Sequence, residues 1–239
     1  MDTLSLRILP EIPEIVAGDD LPALFAGRVP GGTGVLVVAQ KVVSKAEDRC
    51  IRLADVTPSE RAIELASIVE KDPRQVELVL GESRRVVRAV PGVLITETHH
   101  GLVCANAGVD LSNAPGDDVA ILLPLDPDAS AARIREGLGP GTAVIISDTF
   151  GRPWREGLVD VAIGVSGLAP LSDYTGTPDR SGRELQVTVM ASADQLAAAA
   201  GILMRKDAGT PAVWVEGFEP KGSGRLRDLL RDPARDLFR

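Results

Sequence analysis

Short apolar runs bounded by turn residues recur along the chain, and most of them predict β-strands. The two clearest are residues 34–39 and 142–146, which are rich in β-branched side chains and are typical of buried strands. Further strands are predicted at residues 6–9, 93–97, 118–123, 185–190 and 211–215.

Helical segments alternate with these strands. Thr57 and Pro58 are favoured at a helix start, which predicts a helix from there to about residue 71. A second helix is predicted from near Pro73 and a third after Asp126, while Ser192 precedes an alanine-rich helix predicted over residues 196–204. This alternation indicates an α/β fold, although it does not require a purely parallel sheet.

Composition narrows the classes of partner. The chain has 239 residues, enough for one large domain or two closely packed ones, and a net charge of −8 with only 3% aromatic residues. Nucleic acids and anionic membranes are disfavoured as partners, because both require basic surfaces and nucleic acids also favour aromatic ones. No apolar run approaches membrane-spanning length, and the first residues lack the pattern of a signal peptide. We therefore expect a cytoplasmic protein.

Several common kinds of chemical site have no counterpart in the sequence. Cys50 and Cys104 have neither zinc-site spacing nor the pattern of a disulfide framework. The chain contains no Walker motif, no Gly-x-Gly-x-x-Gly after a strand and no Gly-x-Ser-x-Gly elbow. Candidate chemistry therefore has to come from carboxylates and basic side chains.

The most informative segment covers residues 147–157. Asp148 directly follows the apolar run 142–146, so we expect it at a strand end, where ligand sites of α/β sheets gather. Arg152 and Arg155 flank a Pro-Trp pair a few residues later. A carboxylate for a cation and guanidinium groups for an anion indicate a metal-assisted site for a phosphorylated substrate.

A second candidate segment covers residues 99–113, which are small and interrupted by glycine. Asp110 and Asn113 are three residues apart and can present a carboxylate and an amide toward one point. Asp110 and Asp148 could share a divalent ion whose remaining ligands are phosphate oxygens and water. The alternative is that each aspartate is a turn or helix-cap residue.

Two lysines follow the strand predicted at residues 34–39. Lys45, with loop amides, could contact a nucleotide. Lys41 and Lys45 could equally be solvated charges at the strand exit, so the residues alone leave both interpretations open.

Together these segments resemble the coenzyme F420-0:γ-glutamyl ligase family. The resemblance extends from near the N-terminus to the last predicted strand, and it is specific as a set of motifs. The motifs are Ile12-Pro13-Glu14-Ile15 before Gly18-Asp19-Asp20-Leu21, Val42-Val43-Ser44-Lys45-Ala46-Glu47, His99-His100-Gly101, Ala107-Gly108-Val109-Asp110 with Ser112-Asn113, Ser147-Asp148-Thr149 and Arg152-Pro153-Trp154-Arg155.

The resemblance implies an α/β fold with a mixed sheet, of an intertwined two-lobed ligase type, and a homodimer. It implies GTP-dependent attachment of L-glutamate to the lactyl carboxylate of coenzyme F420-0, a deazaflavin, with γ-linked glutamates added in later rounds. The reaction would pass through an acyl phosphate and release GDP and phosphate. It also implies Mg or Mn, as two divalent ions, and potassium.

Residue roles follow from the same resemblance. Asp110 and Asp148 are expected as catalytic metal ligands, and Thr149 as a ligand of the second metal. Gln40 stands where a hydroxyl residue is expected, and Arg205 stands where glycine is usual in the loop on the guanine side. The expected GTP contacts are Ile12, Pro13, Glu14, Ile15, Gln40, Lys45 and Asn113. Arg152 and Arg155 are assigned, by their chemistry, to the anionic deazaflavin or its acyl phosphate.

Two other classes of function remain open from the residues themselves. One is another metal-dependent carboxylate ligase or phosphotransferase that uses the same aspartates. The other is a non-catalytic nucleotide-binding module. Within the chain, residues 1–217 are interpreted as the ligase domain, and residues 218–239 as a tail or as a linker to a further domain.

Overall fold

A five-stranded mixed sheet forms the centre of the protein, as seen in a computed structural model that describes residues 3–236. Its strands are, in order across the sheet, β1 (Ser5–Ile8), β12 (Ala212–Glu216), β2 (Gly34–Ala39), β8 (Thr142–Arg152) and β9 (Arg155–Ser166). β2 and β8 are parallel, whereas the other neighbours are antiparallel. The predicted α/β class with a mixed sheet is confirmed.

Helices cover both faces of this sheet. One face packs on α1 (Leu21–Ala26), α2 (Gln40–Ala46) and α5 (Pro127–Glu136), and the other on α6 (Ser192–Gly201). Successive residues of β2 and β8 alternate between the two cores, because side chains of a strand point to opposite faces. All of these positions within residues 35–38 and 143–146 are apolar, which explains why the two runs were predicted as buried strands, whereas Thr142 and Ser147 on either side of the second run are buried polar residues.

A second lobe has its own apolar core. It contains α3 (Glu60–Val69), α4 (Pro73–Gly81) and a three-stranded sheet of β4 (Ser83–Val90), β5 (Val93–Thr98) and β6 (Val103–Ala105). The short pair β3 (Cys50–Arg52) and β7 (Val119–Ile121) joins the lobes, while β10 (Ser172–Asp173) pairs with β11 (Val189–Met190). Leu53, Val69, Val79 and Leu94 are buried in this second core.

Three local predictions were wrong. The first residue of α3 is Glu60 and Ser59 is its N-cap, since the Ser59 hydroxyl accepts a hydrogen bond from the Ala62 amide at 3.2 Å. α6 begins at Ser192 itself instead of four residues later. Of residues 185–190 only the last two form a strand; Val187 is 87% exposed, so this segment has no buried face to fix it in a sheet.

Asp148 lies inside strand β8 and not in a loop after it. The parallel pairing of β8 with β2 ends at Ser147, opposite Ala39, as the apolar run suggested. The strand nevertheless continues to Arg152, because β9 pairs with it on the other side as a long antiparallel hairpin. Asp148 therefore marks the end of the parallel pairing, and the turn of the hairpin lies at Pro153 and Trp154.

The described residues after β12 fold back on the domain. Leu226 is buried in the main core, and its amide donates hydrogen bonds to both carboxylate oxygens of Asp128 at 3.0 Å. Phe218 and Leu229 pack on the opposite core. The domain boundary at residues 217 and 218 stays a prediction, and residues 237–239 lie outside the described part. Among residues 3–236 no helix combines the length and apolarity needed to cross a bilayer.

Candidate functional site

A cavity of about 880 Å³ opens at the ends of β2 and β8, where their parallel pairing stops. This volume lies within the usual range of small-molecule sites. It is bounded by the segment before α1, the start of α2, the turns around Asp110, the hairpin β8–β9 and the loop between α6 and β12. All the predicted site residues except Arg152 and Arg155 line it.

Asp110 is held in place by hydrogen bonds from three donors. The Ser112 amide donates to Oδ1 at 2.8 Å, the Ser112 hydroxyl donates to Oδ2 at 3.0 Å, and the Lys41 ammonium lies 2.7 Å from Oδ2. Burial alone would oppose ionisation of this carboxyl group, but these contacts outweigh it and lower its pKa. Asp110 is therefore a fixed, ionised carboxylate on the cavity wall.

Asp148 is in the opposite electrostatic situation. Its pKa is raised to about 7, mainly by burial and in part by the nearby charge of Asp110, against the opposing hydrogen bond from the Thr149 amide at 2.8 Å. No ion pair among residues 3–236 includes Asp148. The charge of Lys41 opposes this rise only in part. A half-buried carboxylate beside a second one is an environment that a bound cation would relieve.

The donor set fits a divalent ion of a particular kind. The described residues contain no cluster of three or more histidine, cysteine, aspartate or glutamate side chains that could hold a metal by themselves. Asp110 and Asp148 both line the cavity, and Thr149 adds a hydroxyl and a carbonyl beside them. Magnesium and manganese accept one or two carboxylates together with phosphate oxygens and water, so the residues suit an ion that arrives with a phosphorylated ligand.

The predicted nucleotide contacts line the same cavity as the two aspartates. Residues 12–15 form an irregular segment that is tied to α2 by an ion pair between Glu14 and Lys45. Asn113 has a left-handed backbone with φ of 56° and lines the cavity next to Asp110. Arg205 also lines it, and its guanidinium pairs with Asp207 at 2.8 Å outside α6.

Three buried polar atoms of the cavity lining have no hydrogen-bond partner within the described residues. They are Nε2 of Gln40, Oγ of Ser147 and Oδ1 of Asn106. Gln40 and Ser147 lie side by side, because Ala39 pairs with Ser147 and Gln40 follows it at the start of α2. Unsatisfied buried groups are costly, so their concentration around one cavity indicates that a polar ligand completes them.

Arg152 and Arg155 lie at the far end of the β8–β9 hairpin and do not line the cavity. They face each other across the turn at Pro153 and Trp154, and Arg152 donates a hydrogen bond to the Glu156 carbonyl at 2.9 Å. Trp154 is 79% exposed at this tip. The two arginines therefore lie apart from the carboxylates of the cavity, and their anion-binding role stays a prediction.

Sequence reasoning missed four residues of the cavity lining as functional candidates: Lys41, Asn106, Ser147 and Asp160. Lys41 was interpreted no further than as a charge at a strand exit, yet it pairs with Asp110. Asp160 is a lone carboxylate between apolar residues in Leu158-Val159-Asp160-Val161, and nothing local marks it as a residue of a cavity. Only the pairing of β9 with β8 brings it to the cavity.

Comparison with known proteins places these observations in a family. The family profile described as F420-0:Gamma-glutamyl ligase matches residues 10–217. The chain is 46% identical to the Coenzyme F420:L-glutamate ligase of Methanopyrus kandleri, with 100% of this chain and 99% of the relative aligned. It is 43% identical to the protein of the same name from Methanothermobacter thermautotrophicus, with 99% of each chain aligned. A third protein of that name, from Halobacterium salinarum, is 46% identical over 95% of this chain and 92% of its own. The chain therefore belongs to the F420-0:γ-glutamyl ligase family.

Proposed function

We propose that this protein is a GTP-dependent coenzyme F420-0:L-glutamate ligase that releases GDP and phosphate. The observation that carries the proposal is the cavity in which Asp110 and Asp148 lie beside the predicted nucleotide contacts, in a chain 46% identical to a named ligase over its whole length. The relatives are named for ligation of L-glutamate to coenzyme F420. GTP, the metal ions and the intermediate belong to the proposal.

The reaction requires activation of a carboxylate, which is a poor acylating agent. An oxygen of the acceptor carboxylate bonds to the γ-phosphorus of GTP, and the bond from that phosphorus to the bridging oxygen breaks and releases GDP. The α-ammonium group of L-glutamate loses a proton to solvent, and the resulting amine bonds to the carbonyl carbon of the acyl phosphate. The carbon–oxygen bond breaks, and inorganic phosphate leaves with the second proton of the nitrogen. Phosphoryl transfer asks a protein mainly for positioning and charge neutralisation, so no protein nucleophile is needed.

The residues of the cavity suit these tasks. Lys45, residues 12–15 and Asn113 would hold the nucleotide, and the unsatisfied amide of Gln40 offers a donor in place of the expected hydroxyl. Asp110, Asp148 and Thr149 would hold divalent magnesium or manganese. When bound, such ions neutralise the charge on the phosphates and orient them for in-line transfer.

The acceptor is expected at the outer part of the β8–β9 hairpin. Phe150, Gly151 and Leu158 continue the cavity wall along this hairpin toward Arg152 and Arg155. Two guanidinium groups there suit the phosphodiester and carboxylate groups of the deazaflavin.

Exposure of Trp154 and Leu158 on the same hairpin supports a homodimer in which a second copy of the chain covers them. Sedimentation of wild type and of Trp154→Ala tests this. The variant should stay dissociated up to a higher protein concentration than wild type, and equal association of the two proteins would refute a role of Trp154 in the dimer.

The decisive test is mass spectrometry of deazaflavin products after incubation with GTP, Mn²⁺, K⁺ and L-glutamate. Products that differ by single glutamyl units, together with stoichiometric GDP, are expected, and omission of K⁺ should slow the reaction. Folded protein that forms neither GDP nor glutamylated product would overturn the proposal. GTP binding without turnover would instead favour a nucleotide-binding module.

A further inference from the structure

A carboxylate with no assigned role lies in the cavity wall. Asp160 of β9 is the register partner of Thr149 of β8, and the Thr149 hydroxyl donates a hydrogen bond to Asp160 Oδ1 at 2.9 Å. The second oxygen, Oδ2, lies against the backbone of Gly201 in α6, where a Cβ would be only 1.9 Å away. Asp160 therefore has its position because residue 201 has no side chain.

Asp160 differs from the other carboxylates that line the cavity. Asp110 pairs with Lys41 and Glu14 pairs with Lys45, while Asp148 accepts the Thr149 amide and is assigned to the metal. None of the ion pairs within residues 3–236 includes Asp160. Its one described side-chain partner is a neutral hydroxyl. A carboxylate whose described side-chain partner is neutral can bind a cation that enters the cavity.

Ser147 provides a second, independent observation on the same wall. Its residue is 1% exposed, and its hydroxyl has no hydrogen-bond partner among the described residues. β8 pairs Ser147 with Ala162 and Thr149 with Asp160, so Ser147 and Asp160 share a face of the hairpin as diagonal neighbours. Such neighbours are roughly 7–8 Å apart, and side chains that converge between them can bind one small group.

We propose that Asp160, with the Ser147 hydroxyl, binds the α-ammonium group of the amino acid substrate. The inference rests on the proposed function, in which that nitrogen, once it has lost a proton to solvent, attacks an activated carboxylate. An ammonium group has three donors and no acceptor, and it suits a carboxylate oxygen together with a hydroxyl lone pair.

This contact has a consequence for substrate selection. Glutarate has both carboxylates of L-glutamate but lacks the amine, so it cannot use Asp160. The pair of acceptors therefore selects an amino acid over a plain dicarboxylic acid and holds the nucleophilic nitrogen on the hairpin that also bears Thr149 and Asp148.

The first variant to test is Asp160→Asn, which keeps an oxygen to accept the Thr149 hydrogen bond and removes the charge. Steady-state assays should show the KM for L-glutamate raised about tenfold to hundredfold, as expected for loss of a charge-assisted hydrogen bond. The KM for GTP should stay within about twofold. Inhibition by glutarate should be unchanged, so discrimination between the two acids falls. Glu156→Gln, at an exposed carboxylate of the same strand, is the matched control.

A second variant reaches Asp160 without changing it. Gly201→Ala would force Oδ2 away from its position, and the same selective rise in the KM for L-glutamate is expected. Gly81→Ala is its control, because a Cβ at that other helical glycine would meet nothing within 4 Å. If Asp160→Asn does not fold, Gly201→Ala decides the matter.

The outcomes distinguish a failure of the ammonium site from a failure of the proposed ligase function. If wild type forms glutamylated product while both variants keep the wild-type KM for L-glutamate, the ammonium site is refuted and the ligase assignment stands. An equal rise in the KM values for GTP and L-glutamate refutes it as well, since Asp160 would then support the nucleotide or metal. Absence of product from wild type overturns both.

Discussion

The ammonium of Lys41 lies 2.7 Å from Oδ2 of Asp110 and donates a second hydrogen bond to the Ser112 carbonyl at 2.8 Å. The lysine thus occupies one side of a carboxylate that is proposed to bind a divalent ion. A positive charge so near the metal position competes with the metal for the same oxygen. Lys41 and the ion are therefore expected to displace one another.

Replacement of this lysine tests the competition. In the absence of nucleotide, Lys41→Gln should bind Mn²⁺ roughly threefold to tenfold more tightly than wild type, since the competing charge is gone. Titration calorimetry measures the difference. Lys221→Gln, in an exposed pair with Glu219 outside the cavity, should leave Mn²⁺ affinity unchanged. Weaker binding by Lys41→Gln would show that the lysine supports the metal site instead of competing with it.

The raised pKa of Asp148 predicts a pH-dependent stability in metal-free protein. The folded-state pKa of about 7 exceeds the ordinary value of 3.8, so the folded protein holds a proton that the unfolded chain releases. The free energy of unfolding should fall as pH rises between those values. Asp148→Asn has no such group and should be more stable than wild type above pH 7, by up to about 4 kcal/mol.

Urea unfolding in EDTA at acidic and alkaline pH measures this difference. The advantage of Asp148→Asn should be small near pH 4, grow through neutral pH and then become constant. Asp117→Asn, at an exposed carboxylate, is the control. A stability difference that does not change with pH would show that the pKa of Asp148 is the same in the folded and the unfolded protein.

Catalysis should depend on both metal-ligand candidates. Asp110→Asn and Asp148→Asn are each expected to fold and to lose at least about a hundredfold in turnover with Mn²⁺, because one ligand of an ion that neutralises phosphate charge is removed. Circular dichroism and GDP release measure the two properties. If both variants unfold, the aspartates act as structural turn or cap groups, which is the alternative that the residues left open.

A fourth prediction concerns the packing of α5 on β9. A Cβ at Gly164 would lie 2.5 Å from the carbonyl carbon and oxygen of Pro127, which are backbone atoms that cannot move aside as a flexible side chain can. Gly164→Ala should lower the free energy of unfolding by about 1–3 kcal/mol. Gly27→Ala, where a Cβ meets nothing within 4 Å, should have little effect. Equal unfolding midpoints for the two variants would contradict this account.

The strands of the sheet were predictable where both of their faces are buried. β2 and the first half of β8 are buried on both faces, and their continuous β-branched runs reveal them. β9 escaped prediction because its first four residues, 155–158, are exposed, and its buried run is only residues 162–165 and includes Gly164. The Pro-Trp turn was visible, but nothing local indicated that the segments on both sides would pair for so long.

The site was predictable to the extent that its residues lie in short motifs. Asp110, Asp148 and residues 12–15 belong to such motifs, and the cavity brings them together. Asp160 and Lys41 depend on contacts across about 11 and 70 positions of the chain, respectively, and no local pattern fixes those pairings. The functional meaning of these two residues therefore required the three-dimensional arrangement.

The strand order β1-β12-β2-β8-β9 has a consequence for synthesis of the protein. β12 is inserted between β1 and β2, so these two strands are connected in one sheet only after residues 212–216 have left the ribosome. The loop that completes the cavity, residues 204–211, directly precedes that strand. The edges of β1 and β2 that β12 covers therefore stay unpaired in the nascent chain until then, and the cavity is complete only once that strand has entered the sheet.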